Sequence, residues 1–107
     1  YVSDAIIGFM KILLDSKTPD VFNVGNPSPE ISMIDLAKLI KQLINKDVEI
    51  EIINYPTSYP EDEPNRRCPD ISKISKELSF NPKIDLEKGL VKFFQWAKEN
   101  YSIEILQ

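Results

Sequence analysis

The stretch SMIDLAKLIKQLINKDVEIEI, residues 32–52, decides the fold class, because its hydrophobic period changes part-way along. Met33, Leu36, Ala37, Ile40, Leu43 and Ile44 recur at intervals of three and four residues, the spacing of a helix with one apolar stripe. Ser32 followed three residues later by Asp35 resembles a capping box with Asp in place of Glu, which starts that helix. From residue 48 the period falls to two. Val48, Ile50 and Ile52 alternate with Glu49 and Glu51, the pattern of a strand with one buried and one wet face. A helix that passes into an alternating strand points to an α/β chain.

Upstream, Ser3 or Asp4 can cap a first helix reaching about Asp15, with Ile6, Phe9, Met10, Leu13 and Leu14 at core spacing. Gly8 inside it costs roughly 1 kcal/mol relative to alanine unless close packing requires the missing side chain. Residues 17–20 form a turn, and Val21-Phe22-Asn23-Val24 reads as a short buried strand. Gly25-Asn26-Pro27-Ser28-Pro29 then ends it. Downstream, Pro56, Pro60, Pro64 and Pro69 make residues 54–69 a stiff, extended loop. Asp70 caps a third helix with Ile71, Ile74 and Leu78 on its inner side, and Asn81-Pro82 stops it. Ile84 can add a strand residue. Asp85 caps a fourth helix with the stripe Leu86, Leu90, Phe93 or Phe94, Ala97 and Tyr101. Two short strands make a marginal sheet by themselves, so they are expected to complete a sheet or lean on another domain.

The size, 107 residues, suits a single small domain over 1–107, and 42% hydrophobic with 28% charged residues is ordinary globular composition. The net charge of -4, with no basic cluster beyond Arg66-Arg67, argues against nucleic acid as a partner. No apolar run approaches the ~20 residues of a membrane span. The first residues lack the sections of a signal peptide. One cysteine, Cys68, fits a reducing cytoplasm, and the absence of histidine removes Ser-His and Cys-His nucleophile pairs and most zinc sites. A start at Tyr1-Val2-Ser3-Asp4, running directly into a helical pattern, is expected of a processed or excised piece.

One polar constellation is dense: Glu61-Asp62-Glu63-Pro64-Asn65-Arg66-Arg67-Cys68-Pro69-Asp70. Arginine presents a planar fork of donors matched to phosphate oxygens, and Arg66 and Arg67 on a proline-stiffened loop lose little entropy on binding. Asp62 and Glu63 can accept hydrogen bonds from sugar hydroxyls, so an anionic, polyhydroxylated ligand would use both kinds of group. The competing reading pairs the arginines with Glu61, Asp62, Glu63 or Asp70 on the surface. The Asp70 carboxylate would itself occupy the start of the third helix, leaving any phosphate to the arginines. Cys68 beside two arginines could be a lowered-pKa nucleophile, but with no base in reach a structural thiol is the simpler reading. Asn23-Val24-Gly25-Asn26 lacks the spacing of a phosphate loop. Trp96 and Tyr101 sit at helix spacing and suggest no stacking platform.

Five segments in this order carry a resemblance: Tyr1-Val2-Ser3-Asp4; Asn23-Val24-Gly25-Asn26-Pro27; Arg67-Cys68-Pro69-Asp70-Ile71-Ser72-Lys73; Leu78-Ser79-Phe80-Asn81-Pro82-Lys83; and Leu86-Glu87-Lys88-Gly89-Leu90. Together they resemble the extended short-chain dehydrogenase/reductases of the NAD-dependent epimerase/dehydratase family, nearest the UDP-glucuronate decarboxylase branch. The resemblance implies a small carboxy-terminal, substrate-binding α/β domain of about four helices with short strands and a long Pro-rich loop. The NAD-binding Rossmann domain, with its Tyr-x-x-x-Lys pair, would precede it. The implied partner is a nucleotide-diphosphate sugar, a UDP-sugar first. The implied cofactor is NAD, held outside this chain, and the intact protein would be a cytoplasmic homodimer. No catalytic residue and no metal ligand fall here. Arg67 matches a family arginine that meets the diphosphate and, in some decarboxylases, assists proton delivery. Asp62 or Glu63 falls near an acidic ribose-binding position, and Cys68 stands where the family often has lysine. The alternative is a free-standing small α/β binding or interaction domain with no catalytic role.

Overall fold

The structure is a computed structural model that describes residues 1–17, 19–44, 47–59 and 67–101. Its elements are α1 (Val2–Asp15), α2 (Met33–Ile44), α3 (Ser72–Leu78) and α4 (Leu86–Asn100). Two compact units are present. One comprises Tyr1–Glu30 with Cys68–Gln107, and the other Ile31–Arg67.

The core of the first unit is built on α3. Ile74 and Phe80 are almost wholly buried and Leu78 nearly so, with Ile12, Phe22, Val24 and Ile71 packed against them. Seven residues make a short helix, and its end creates the core. Ser79 adopts the left-handed region, φ 50°, which turns the chain and brings Phe80 back beneath α3. The Ser75 hydroxyl then donates to the Phe80 carbonyl at 2.8 Å. A left-handed non-glycine residue costs roughly 1–2 kcal/mol. Burying a phenylalanine returns about 1.5–3 kcal/mol, enough to hold the turn.

α1 departs from its expected orientation. Its N-cap is Tyr1, not Ser3 or Asp4. Asp4 lies in the first turn, buried, and its Oδ2 accepts from the backbone amides of Lys83 at 3.1 Å and Ile84 at 2.8 Å. The side facing the core carries Asp4, Gly8 and Ile12, while Ile6, Phe9, Met10, Leu13 and Leu14 are exposed. The expected core stripe is therefore on the outside. Gly8 explains the choice: a Cβ there would stand 2.6 Å from Val24 Cγ1 and 3.2 Å from Phe80 Cε2, so the glycine face is the one that can approach the core closely. Lys11 supports the packing by donating to the Leu78 carbonyl at 3.0 Å.

Asp85 caps α4 as expected, accepting from the Lys88 amide at 2.8 Å. Gly89 and Ala97 are the buried positions, with Leu86, Leu90 and Phe94 half-buried; Phe93 and Tyr101 are exposed, so Phe94 is the inward aromatic. For α3 the N-cap position is Ile71, one residue beyond the expected Asp70. The Asp70 carboxylate nevertheless accepts from the Ser72 amide at 2.9 Å.

In the second unit, α2 begins as its capping pattern requires. The Asp35 amide donates to Ser32 Oγ at 3.1 Å, and the Ser32 hydroxyl donates to the Asp35 carboxylate at 2.6 Å. No described residue of this unit is fully buried, and Met33 is exposed in spite of its place in the stripe.

Neither expected strand forms among the described residues, where the regular structure is four helices. Residues 21–24 keep the alternation, with Phe22 and Val24 toward the core and Val21 and Asn23 outward. In 48–52, Val48 is half-buried and Ile50 is 37% exposed, while Ile52 at the end of the alternating run is 83% exposed. Alternation states which side of a strand would be buried. A strand also needs a neighbouring backbone for its ladder.

Candidate functional site

The segments following α1 and preceding α3 meet in the first unit. Gly25 lies against Pro69, whose Cγ would be 2.8 Å from a Cβ at position 25. The Asn23 side-chain amide donates to the Asp70 carbonyl at 3.1 Å, and Cys68 Sγ lies 3.4 Å from the Pro27 carbonyl oxygen, to which its thiol donates. Lys73 closes the other end. Its ammonium pairs with Asp20 at 2.6 Å, donates to the Val21 carbonyl at 3.0 Å and sits 4.8 Å from the Phe22 ring centroid.

Asn26 extends the lattice by donating to the Ile84 carbonyl at 3.4 Å, while Asp4 holds the Ile84 amide. The segments around Asp4, Asn23–Pro27, Cys68–Lys73 and Lys83–Ile84 are thus fastened by side-chain-to-backbone hydrogen bonds. This frame fixes the backbone from Cys68 onward, the residue after Arg67.

Two carboxylates here, those of Asp20 and Asp70, titrate below the ordinary aspartate value. The Lys73 ammonium, and then the Val21 amide, lower the Asp20 pKa below its ordinary 3.8. The backbone amide of Ser72 is the main cause of lowering at Asp70. Asp70 therefore occupies the first amide of α3, as the sequence reading requires, and that position is closed to an external anion.

Among the residues expected to bind a ligand, Arg67 is described and exposed. Asp62, Glu63 and Arg66 lie outside the described residues, so the arrangement of the full set 62–67 is not part of this geometry. Sequence reading missed one feature of the loop. Tyr55 and Tyr59 stack with centroids 4.0 Å apart and planes 22° from parallel, over a turn closed by the Tyr59 amide donating to the Pro56 carbonyl at 2.9 Å. The four-residue spacing around Pro56 was the available signal. An apolar depression of about 410 Å³ is lined by Tyr1, Val2, Phe93 and Trp96; it carries no titratable pair and is not the arginine site.

Comparison with known proteins finds relatives among the UDP-glucuronic acid decarboxylases. UDP-glucuronic acid decarboxylase 6 of Arabidopsis thaliana is 42% identical over 91 residues, which is 84% of this chain and 24% of that protein. UDP-glucuronic acid decarboxylase 5 of the same plant is 40% identical over 91 residues, 84% of this chain and 25% of that protein. UDP-glucuronic acid decarboxylase 1 of Xenopus tropicalis is 37% identical over 99 residues, 92% of this chain and 22% of that protein. The chain is a homologue of the UDP-glucuronic acid decarboxylases.

The likeness is consistent with a carboxy-terminal fragment of an enzyme like the extended short-chain dehydrogenase/reductases. The chain spans about a quarter of the length of these decarboxylases. No family model and no solved structure matches it. Among the described residues, no helix is long and apolar enough to cross a membrane.

Proposed function

We propose that this chain is the nucleotide-sugar-binding part of an NAD-dependent UDP-glucuronate decarboxylase, with Arg67 as its phosphate-facing residue. The observation that carries the reading is the 42% identity to a decarboxylase over 84% of the chain. The anchored backbone from Cys68 to Lys73 supports it, because a guanidinium on a fixed loop end loses less freedom when it pairs with a diphosphate.

The division of labour follows from chemistry. Loss of carbon dioxide from a sugar is eased when NAD first oxidises the neighbouring carbon, and NAD supplies that hydride step when bound. This chain has neither a glycine-rich phosphate loop nor a Tyr-x-x-x-Lys pair, so its own share is to orient the sugar nucleotide and neutralise charge. Arg66, Asp62 and Glu63 join Arg67 in that role. In the intact enzyme, which we take to be a cytoplasmic homodimer, residues 21–24 and 48–52 complete sheet structure supplied elsewhere in the polypeptide and give the region its α/β character.

The test uses the intact enzyme and isothermal titration with UDP-glucuronate. Arg67→Ala should weaken binding by about 1.5–3 kcal/mol, the scale of a lost hydrogen bond to a charged group. Arg67→Lys should recover part of the loss, since the charge is kept and the fork is not. Unchanged affinity in Arg67→Ala would return Arg67 to surface ion pairing. Binding without release of carbon dioxide would point instead to an epimerase or dehydratase.

A further inference from the structure

Two stretches far apart in the chain meet step by step, in reversed order. Asn23, Gly25 and Pro27 stand against Asp70, Pro69 and Cys68 respectively, and each step is a different kind of contact. The Asn23 side-chain amide donates to the Asp70 carbonyl at 3.1 Å. Gly25 admits the Pro69 ring so closely that a Cβ at position 25 would lie 2.8 Å from Pro69 Cγ. The Cys68 thiol donates to the Pro27 carbonyl at 3.4 Å.

This clamp holds three consecutive residues, and the residue bonded to its amino-terminal end is Arg67. Covalent geometry adds to the grip. The Pro69 ring locks its own φ, and a residue preceding proline is confined to extended backbone, so Cys68 has little freedom of its own. On the other side, the Asp70 carboxylate accepts from the Ser72 amide and Ile71 packs against the core. A shift of residues 68–70 is therefore passed along a short, stiff run of backbone to Arg67. Asn23 is exposed and is not one of the residues packed around Ile74, Leu78 and Phe80. Its hydrogen bond does more to set where residues 68–70 lie than to hold the core.

Placement matters for a guanidinium, because its forked donors must meet two oxygens at once. A contact of that kind tolerates misplacement of only about 0.5 Å. We infer that Asn23 is a positioning residue for Arg67. It acts through the Asp70 carbonyl, with Gly25 admitting Pro69, so that the loop end is set before a diphosphate arrives. Asn23 itself has no need to touch the ligand. The inference rests on the reading of Arg67 as the phosphate-facing residue, and adds where the placement of that arginine comes from.

The experiment is a double-mutant cycle in the intact enzyme, read by isothermal titration with UDP, which carries the diphosphate and has no sugar to react. Asn23→Ala should weaken UDP binding about fivefold to tenfold while Arg67 is present, a coupling within the range of residues that share one network. In an Arg67→Ala background the same change should cost less than about twofold. An Asn23 with a merely structural role would give equal losses in both backgrounds. That result would overturn the inference and leave the role of Arg67 standing, as would full UDP affinity in Asn23→Ala. Arg67→Ala without effect by itself would overturn the reading of Arg67, and this inference with it. Gly25→Ala covers the case in which Asn23→Ala fails to fold, since it removes no hydrogen-bonding group and crowds only Pro69. It should show the same Arg67-dependent loss of UDP affinity, and a loss independent of Arg67 would refute the positioning role.

Discussion

Replacing Asp4 tests the frame at its most buried polar contact. One carboxylate oxygen accepts from two backbone amides, those of Lys83 and Ile84, and the side chain is 6% exposed. Hydrogen bonds to a charged group contribute about 1.5–3 kcal/mol each. Both bonds share one oxygen, and removing the carboxylate also removes its own cost of burial, so the two contributions do not simply add. Asp4→Ala should therefore lower unfolding free energy by about 2–4 kcal/mol, because both amides lose their acceptor. Asp4→Asn retains an oxygen that can occupy the same position without charge, and should lose about 1–2 kcal/mol. The measurement is urea unfolding of the chain, followed by far-UV circular dichroism and by fluorescence of Trp96, its one tryptophan. An Asp4→Ala chain within about 0.5 kcal/mol of the parent would refute the reasoning, since that is the scatter of featureless surface sites.

Gly8→Ala should destabilise by up to about 2 kcal/mol: crowding against Val24 and Phe80, costing about 1–3 kcal/mol, outweighs a gain of roughly 1 kcal/mol in helix propensity. A higher unfolding midpoint would show that Val24 yields. Stability should also fall in acid. Asp20, Asp35, Asp70 and Asp85 are lowered in the folded chain from an ordinary 3.8, by Lys73, Ser32, Ser72 and Lys88 respectively as the leading partners. The unfolded chain therefore takes up protons first as the pH falls through 3.8, so this stabilisation is present above that value and lost below it. A melting temperature flat from pH 5 to about 2.5 would contradict it. At the alkaline end Lys88 is raised above its ordinary 10.5 by Asp85, so its contribution is full below 10.5 and disappears as the pH rises through the raised value. Asp85→Asn should remove that alkaline dependence in a thermal titration.

Much of the chain was readable before the structure. The capping pattern at Ser32–Asp35 and the cap at Asp85 are local, a side chain meeting an amide three residues away, and both form as written. Helix positions follow from the same short-range period. The link between Asn23–Pro27 and Cys68–Asp70 was present only as two separate motifs; their contact spans more than 40 residues, and no local rule connects them. Tyr55 over Tyr59 was missed because stacking depends on the turn at Pro56.

The sequence by itself determined where the helices lie, what caps two of them, and which arginine is worth testing. It also carried the likeness to the decarboxylases. Only the tertiary structure decided which side of α1 is inside. Two faces of that helix are apolar enough to be buried, and hydrophobic spacing alone favours Ile6, Phe9 and Leu13. The core accepts the other face because Gly8 lets the backbone approach Val24 and Phe80, and because Asp4 finds two amides there. Close approach and buried hydrogen bonding are properties of a pair of surfaces. One strand of sequence specifies only half of each pair.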